Sequence, residues 1–176
     1  MESEESQRVY HEKQRWQFCL IHTVNNILQR KEFTPETMDE ICYALNESKW
    51  FNPHKSWIGL GNYDANILMA ALQQHNFKVV WFDKRNKPST INFDLLRAVV
   101  VNIPSRLFIP FVRNRHWYPL VNFNNKFFNL DSKISSPEKI ENVEEYMDNV
   151  LRSSDAEVLL VVPMNVAEAE LFKSSE

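Results

Sequence analysis

The chain has 176 residues, 44% of them apolar and 12% aromatic, with a formal net charge of −3. That is material for one domain with a filled core, and a mildly acidic chain with scattered basic residues lacks the basic face that nucleic-acid binding needs. The two cysteines, Cys19 and Cys42, are too few for a disulfide framework.

No apolar stretch follows the charged start MESEESQR, so secretion is not expected. The expected home is the reducing cytoplasm, with the nucleus as a second compartment. The longest apolar runs, AVVVNIP and VLLVVPM, fall well short of the roughly 20 residues a spanning helix needs, so no transmembrane segment is expected. One domain is expected over residues 9–163, with residues 1–8 and 164–176 as flexible tails.

From Phe18 to Gln29, Ile21, Val24, Ile27 and Leu28 recur at helical spacing, which places Cys19 in the first turn of a helix. Unpaired N–H groups and the positive end of the helix dipole favour a thiolate over a thiol there. Thr34 as cap and Pro35 at the first helical position announce a second helix, with Met38, Ile41, Cys42 and Leu45 on one face. Cys42 is therefore expected as packing. The stretch ESKWFNPHKSWIGLG carries Trp50, Phe51, Trp57, Pro53 and both glycines, Gly59 and Gly61, and is expected to be a connection that can move. A third helix is expected after Asn62, with Asp64 in its first turn and Ile67, Leu68, Ala71 and Leu72 along it, ending near Asn76.

The second half reads as short runs rich in Val, Phe and Trp: FKVVWF, AVVVNI, HWYPLVNF, KFFNLD and VLLVV. These are expected strands. Asn124-Asn125 joins HWYPLVNF to KFFNLD, and an Asn pair tolerates the left-handed conformations of a tight hairpin. A helix near Val143 to Leu151 precedes the last strand. The layout is α+β, with helices in the first half packed on a mainly antiparallel sheet.

Three residues in this layout fit nucleophilic catalysis. Cys19 opens a helix, His116 opens a strand after the charged VRNR, and Asp131 ends the partner strand of the hairpin. The hairpin brings His116 and Asp131 to one end of adjacent strands, so that Asp131 accepts from one imidazole nitrogen while the other faces the Cys19 thiol. Gln14, five residues before Cys19, offers a side-chain amide that would join the Cys19 backbone N–H in stabilising an oxyanion. Cys19 and His22 are three apart on a helix, but zinc usually takes three or four protein ligands, and no second Cys/His pair is present, so no metal is expected. Gly59-Leu60-Gly61 lacks the third glycine and preceding strand of a dinucleotide loop, so no such cofactor is expected.

The segment YHEKQRWQFCLIHTVNNILQ, Tyr10 to Gln29, resembles the nucleophile region of the Josephin family of deubiquitinating cysteine proteases, with its HEKQ opening, C-x-x-H and paired Asn25-Asn26. NPHKS, GNYDANILMAALQ, VVWFDKR, RHWYPLV, FFNLDSK and EVLLVVP follow the pattern of the small Josephin-only members. The resemblance covers nearly the whole chain. It implies a papain-like fold, Cys19 as nucleophile, His116 as general base and acid, Asp131 as the orienting residue, and Gln14 as oxyanion donor. The implied substrate is ubiquitin joined through its C-terminal glycine to a lysine of another protein or of ubiquitin, with no cofactor. Some members have Asn where this chain has Asp131, and many have a small residue where it has Leu20.

Ubiquitin's tail ends in two glycines, so a narrow cleft walled by aromatics such as Trp117 would admit it and reject bulkier side chains. The segment around Trp50, Phe51 and Trp57 is a candidate lid or recognition surface. A monomer is expected. Two other readings compete with hydrolysis: a ubiquitin-binding module that keeps the triad without turnover, and acyl transfer to an amine.

Overall fold

The computed structural model describes residues 9–13, 18–47, 61–105, 115–153 and 155–173. Three helices come first: α1 (Cys19–Leu28), α2 (Pro35–Glu47) and α3 (Gly61–Gln73). Strand β1 (Phe77–Trp81) follows, then two 3-10 turns, Pro88–Thr90 and Phe93–Leu95. The remaining strands are β2 (Ala98–Pro104), β3 (Arg115–Phe123), β4 (Lys126–Asn129), β5 (Glu138–Ile140) and β6 (Glu157–Pro163). Helix α4 (Val143–Leu151) precedes β6, and a short helix α5 (Glu168–Leu171) follows it. The strands form one six-stranded sheet in the order β1-β6-β2-β3-β4-β5, antiparallel at every pairing. The α+β architecture is the expected one.

Local sequence explains most of these boundaries. Thr34 and Thr37 cap α2 reciprocally: the Thr34 N–H donates to Thr37 Oγ1 at 2.9 Å and the Thr37 N–H to Thr34 Oγ1 at 3.4 Å. Helix α1 ends at Gln29, whose φ of 60° lies in the left-handed region that glycine usually occupies. The Gln29 side chain holds that ending by donating to Asn26 O (2.6 Å) and Tyr10 O (3.1 Å) and accepting from the Tyr10 N–H (2.9 Å). Asn124 (φ 51°) and Asn125 (φ 62°) turn the β3-β4 hairpin, and Asn122 Oδ1 accepts the Asn125 N–H at 2.8 Å. Two successive positive φ values mark the turn whose twist matches the flanking strands.

The sheet is buried on both faces, so its central strands read as continuous apolar runs rather than alternating ones. Ala98, Val100, Trp117, Val121, Leu159 and Val161 pack against Ile21, Val24 and Ile27 of α1 and Leu68 and Leu72 of α3. Val99, Val101, Tyr118, Leu120 and Leu160 pack on the opposite side with Met147 of α4, Ile91 and Leu171. Each fully buried Val, Leu, Ile or Met among them contributes about 1.5–3 kcal/mol of transfer free energy. Cys42 is half-buried and packs against the first cluster.

Two features differ from expectation. Strand β5 is only Glu138-Lys139-Ile140, too short and charged to register as a β pattern, and it is formed by pairing with β4. Residues 164–173, expected as part of a tail, return to the body of the protein. Leu171 is fully buried, its carbonyl accepts from the Asn92 N–H at 2.9 Å, and the Lys173 N–H donates to Thr90 O at 2.7 Å. Among the described residues, no helix is long and apolar enough to cross a membrane.

Candidate active site

Helix α1 lies across β3 and presents Cys19 as its first helical residue, half-buried and unpaired in any disulfide. On β3, His116 is 4% exposed, one residue inside the strand's start. The Leu120–Asn129 pairing and the Leu130 N–H to Pro119 O bond (3.0 Å) carry the hairpin register two steps beyond β4. Asp131 therefore falls opposite Tyr118 and diagonal to His116, a spacing that side chains on one sheet face bridge. His116 Nε2 and Asp131 Oδ1 meet at 2.7 Å.

The Cys19 thiol is near enough to His116 to favour the charged imidazole. With Nε2 facing Asp131, Nδ1 is the ring nitrogen not engaged by the carboxylate. Burial works against a charged imidazole, but the hydrogen bond that the ring donates to Asp131, the neighbouring Cys19 thiol and the Asp131 charge outweigh it, so the His116 pKa lies above its usual value. Burial likewise opposes a charged Asp131, yet the His116 hydrogen bond and the Lys133 backbone N–H, which donates to Oδ1 at 2.9 Å, hold that carboxyl below its usual range. The two directions agree: the pair favours imidazolium beside carboxylate.

Tyr118 stacks on the His116 ring, with centroids 5.8 Å apart and planes 25° apart. Its hydroxyl accepts from Tyr146 of α4 at 3.3 Å, and burial pushes its pKa well up, so it stays a neutral phenol. The imidazole is thus limited in rotation by a carboxylate at one edge and an aromatic ring against one face.

Gln14 and Trp57, and the aromatic segment with Trp50 and Phe51, lie outside the described residues. Trp117 requires a correction. Expected as a wall of the substrate cleft, it is 1% exposed and packed with Val121 and Leu130 in the core shared with α1. Its position next to His116 in sequence turns it to the opposite sheet face, the one covered by α1, so it is packed under that helix instead of lining a cleft.

A polar network beside the site was not foreseen. Glu12 accepts from His22 Nδ1 at 2.7 Å and from Asn25 Nδ2 at 3.1 and 3.2 Å. Asn26 accepts the Glu12 N–H at 2.7 Å and donates to Leu130 O at 2.9 Å. The available signal was Asn25-Asn26 in the middle of an apolar helix, since buried amides need partners. Among the described residues, no group of three or more His, Cys, Asp or Glu side chains is arranged to hold a metal ion.

The Josephin family model matches residues 14–162. The chain is similar to Josephin-2 of Mus musculus, at 39% identity over 92% of this chain and 89% of the relative. Josephin-2 of Homo sapiens is 38% identical over 91% and 89% of the two chains. A Josephin-like protein of Drosophila melanogaster is 37% identical over 80% of this chain and 66% of its own. A match over most of the chain, with relatives near two-fifths identity, establishes that the chain belongs to the Josephin family, whose members include cysteine-protease-type deubiquitinases.

Proposed function

We propose that this protein is a thiol-dependent deubiquitinase that hydrolyses isopeptide bonds at the C-terminal glycine of ubiquitin, with Cys19, His116 and Asp131 as its triad. The observation that carries the reading is His116 with Asp131 Oδ1 on Nε2 at 2.7 Å; the influence of the nearby Cys19 thiol on the imidazole supports it. Membership of the Josephin family supports the substrate class.

In this mechanism the Cys19 thiolate attacks the glycine carbonyl, and His116, protonated by transfer from the thiol, gives its proton to the departing lysine amine. A water molecule, deprotonated by His116, then attacks the thioester. Collapse of the second tetrahedral intermediate releases ubiquitin with a free carboxylate and returns the proton from His116 to sulfur. Asp131 keeps the imidazole in the required tautomer and stabilises its charged form. The backbone N–H of Cys19, in the first turn of α1, is the proposed first donor to the oxyanion, and Gln14 is the proposed second donor.

The test is cleavage of isopeptide-linked diubiquitin by the full chain beside Cys19→Ala. Release of monoubiquitin by the parent and none by the variant supports the reading. Equal rates would sink it, and ubiquitin binding without turnover in either would favour a binding module.

A further inference from the structure

We propose that His11 and Glu12 are positioning residues for the reaction at Cys19, joining the nucleophile's helix to the backbone of the acid. The proposal rests on the reading of Cys19, His116 and Asp131 as a triad.

His11 Nε2 lies 2.8 Å from the backbone carbonyl of Asp131. A carbonyl oxygen only accepts, so this ring carries its proton on Nε2 and donates. The next residue, Glu12, has its side chain 14% exposed. It is a nearly buried carboxylate, which needs several donors to be tolerated. It has them from His22 Nδ1, Asn25 Nδ2 and the Tyr10 hydroxyl. His22 and Asn25 are both on α1, one and two turns after Cys19.

The backbone of the same segment is held as firmly. Gln29 takes both the N–H and the carbonyl of Tyr10, and Asn26 takes the Glu12 N–H while donating to the carbonyl of Leu130, beside Asp131. Residues 10–12 therefore form a strap whose polar groups bond to α1 on one side and to the acid's own backbone on the other. Packing alone would not call for a buried carboxylate, because an apolar side chain of that size fills the same space at lower desolvation cost.

The consequence is mechanical. Asp131 lies beyond the paired residues of β4, in a turn where its N–H donates to Asn129 Oδ1 at 3.0 Å and its carbonyl accepts the Ile134 N–H at 3.1 Å. Those bonds shape the turn locally; His11 on the Asp131 carbonyl and Asn26 on the Leu130 carbonyl are what tie it to the strap and to α1, with the neighbouring Glu12 anchoring the strap to His22 and Asn25. A misplacement of about 1 Å in such a group costs roughly a hundredfold in rate.

The experiment measures kcat and KM on ubiquitin bearing a C-terminal fluorogenic amide. In parallel, iodoacetamide alkylation of the peptide carrying Cys19 is followed by mass spectrometry, for the full chain and for His11→Leu, His11→Gln and Glu12→Gln. His11→Leu is expected to lower kcat about ten- to a hundredfold with KM changed by less than about twofold. The Cys19 alkylation rate should fall with it. His11→Gln places an amide donor near the position of Nε2 and is expected to restore kcat to within about threefold of the parent. Glu12→Gln, which keeps the shape of the side chain, should lower kcat about tenfold and carries the test if His11→Leu does not fold. Unchanged kcat and alkylation in His11→Leu or in Glu12→Gln would overturn the proposal, as would a loss that His11→Gln fails to restore. If the parent chain does not turn over ubiquitin, the deubiquitinase reading fails separately, and the alkylation rates still decide the positioning role.

Discussion

His116 Nε2 stands 2.7 Å from Asp131 Oδ1, with His116 near the start of β3 and Asp131 two residues past the end of β4. Both flanks of the contact are built: Asp131 Oδ1 also receives the Lys133 N–H, and the His116 ring is backed by Tyr118. The pair gains its charge separation from geometry fixed before any substrate arrives, which is the condition for electrostatic preorganisation.

That geometry predicts the alkaline limb of activity. The His116 pKa is raised by Asp131 and Cys19 against burial, so the imidazolium that the proposed mechanism uses to protonate the leaving amine should persist above the usual histidine value of about 6.5. Asp131→Asn keeps a hydrogen-bond acceptor and removes the charge. It should move the alkaline limb of kcat/KM to lower pH and reduce the maximum roughly ten- to a hundredfold, the scale of one charge-assisted hydrogen bond. A pH-rate profile of the two proteins checks this, and an unmoved limb contradicts it.

The same pair predicts how stability varies with pH. Asp131 is lowered in the folded state, so its contribution is present above about pH 3.9, the unfolded value, and is lost as pH falls through the folded one. His116 is raised, so its contribution is present below about pH 6.5 and is lost as pH rises through its folded value. The stabilisation from the pair should therefore be fullest between about pH 4 and 6.5. Urea midpoints of the parent and Asp131→Asn, measured across pH, should differ most in that window. A difference that does not vary with pH would show the pair contributes no linked stability.

Asn26 is fully buried and bonds to both Glu12 and Leu130. Asn26→Ala leaves a buried N–H and a buried carbonyl without partners, at about 1–3 kcal/mol each. We expect a total loss of about 2–5 kcal/mol in urea unfolding. A loss under about 1 kcal/mol would mean that water replaces the amide.

Positive φ at Asn124 and Asn125 makes the β3-β4 turn sensitive to β-branching. Asn125→Val should cost about 1–2 kcal/mol, and Asn125→Gly should be neutral or slightly stabilising. Thermal unfolding of the three chains orders them directly, and a Val variant as stable as the Gly variant would contradict the turn geometry.

The features legible in the sequence were those whose causes are local. Thr34-Pro35 marks a helix start because the capping bonds span three residues, and Asn124-Asn125 marks a hairpin because both residues tolerate positive φ. Strand β5 was not legible, since Glu138-Lys139-Ile140 owes its conformation to β4. Leu171 in its buried site depends on a 3-10 turn about 80 residues earlier, and polar flanks concealed that. Trp117 was misplaced for a similar reason: its neighbour His116 reaches the site, but alternation along β3 sends the indole into the core. Glu12 was invisible as an anchor because its partners His22 and Asn25 lie ten and more residues away, across a fold that had first to be assembled.

The measurement closest to the central claim is reaction of the purified chain with ubiquitin carrying a thiol-reactive group at its C-terminus, with the adduct mapped by mass spectrometry. The account predicts one ubiquitin per chain, attached at Cys19, and no adduct with Cys19→Ala or with His116→Ala at short times. Attachment at Cys42, or an adduct that survives Cys19→Ala, would contradict it.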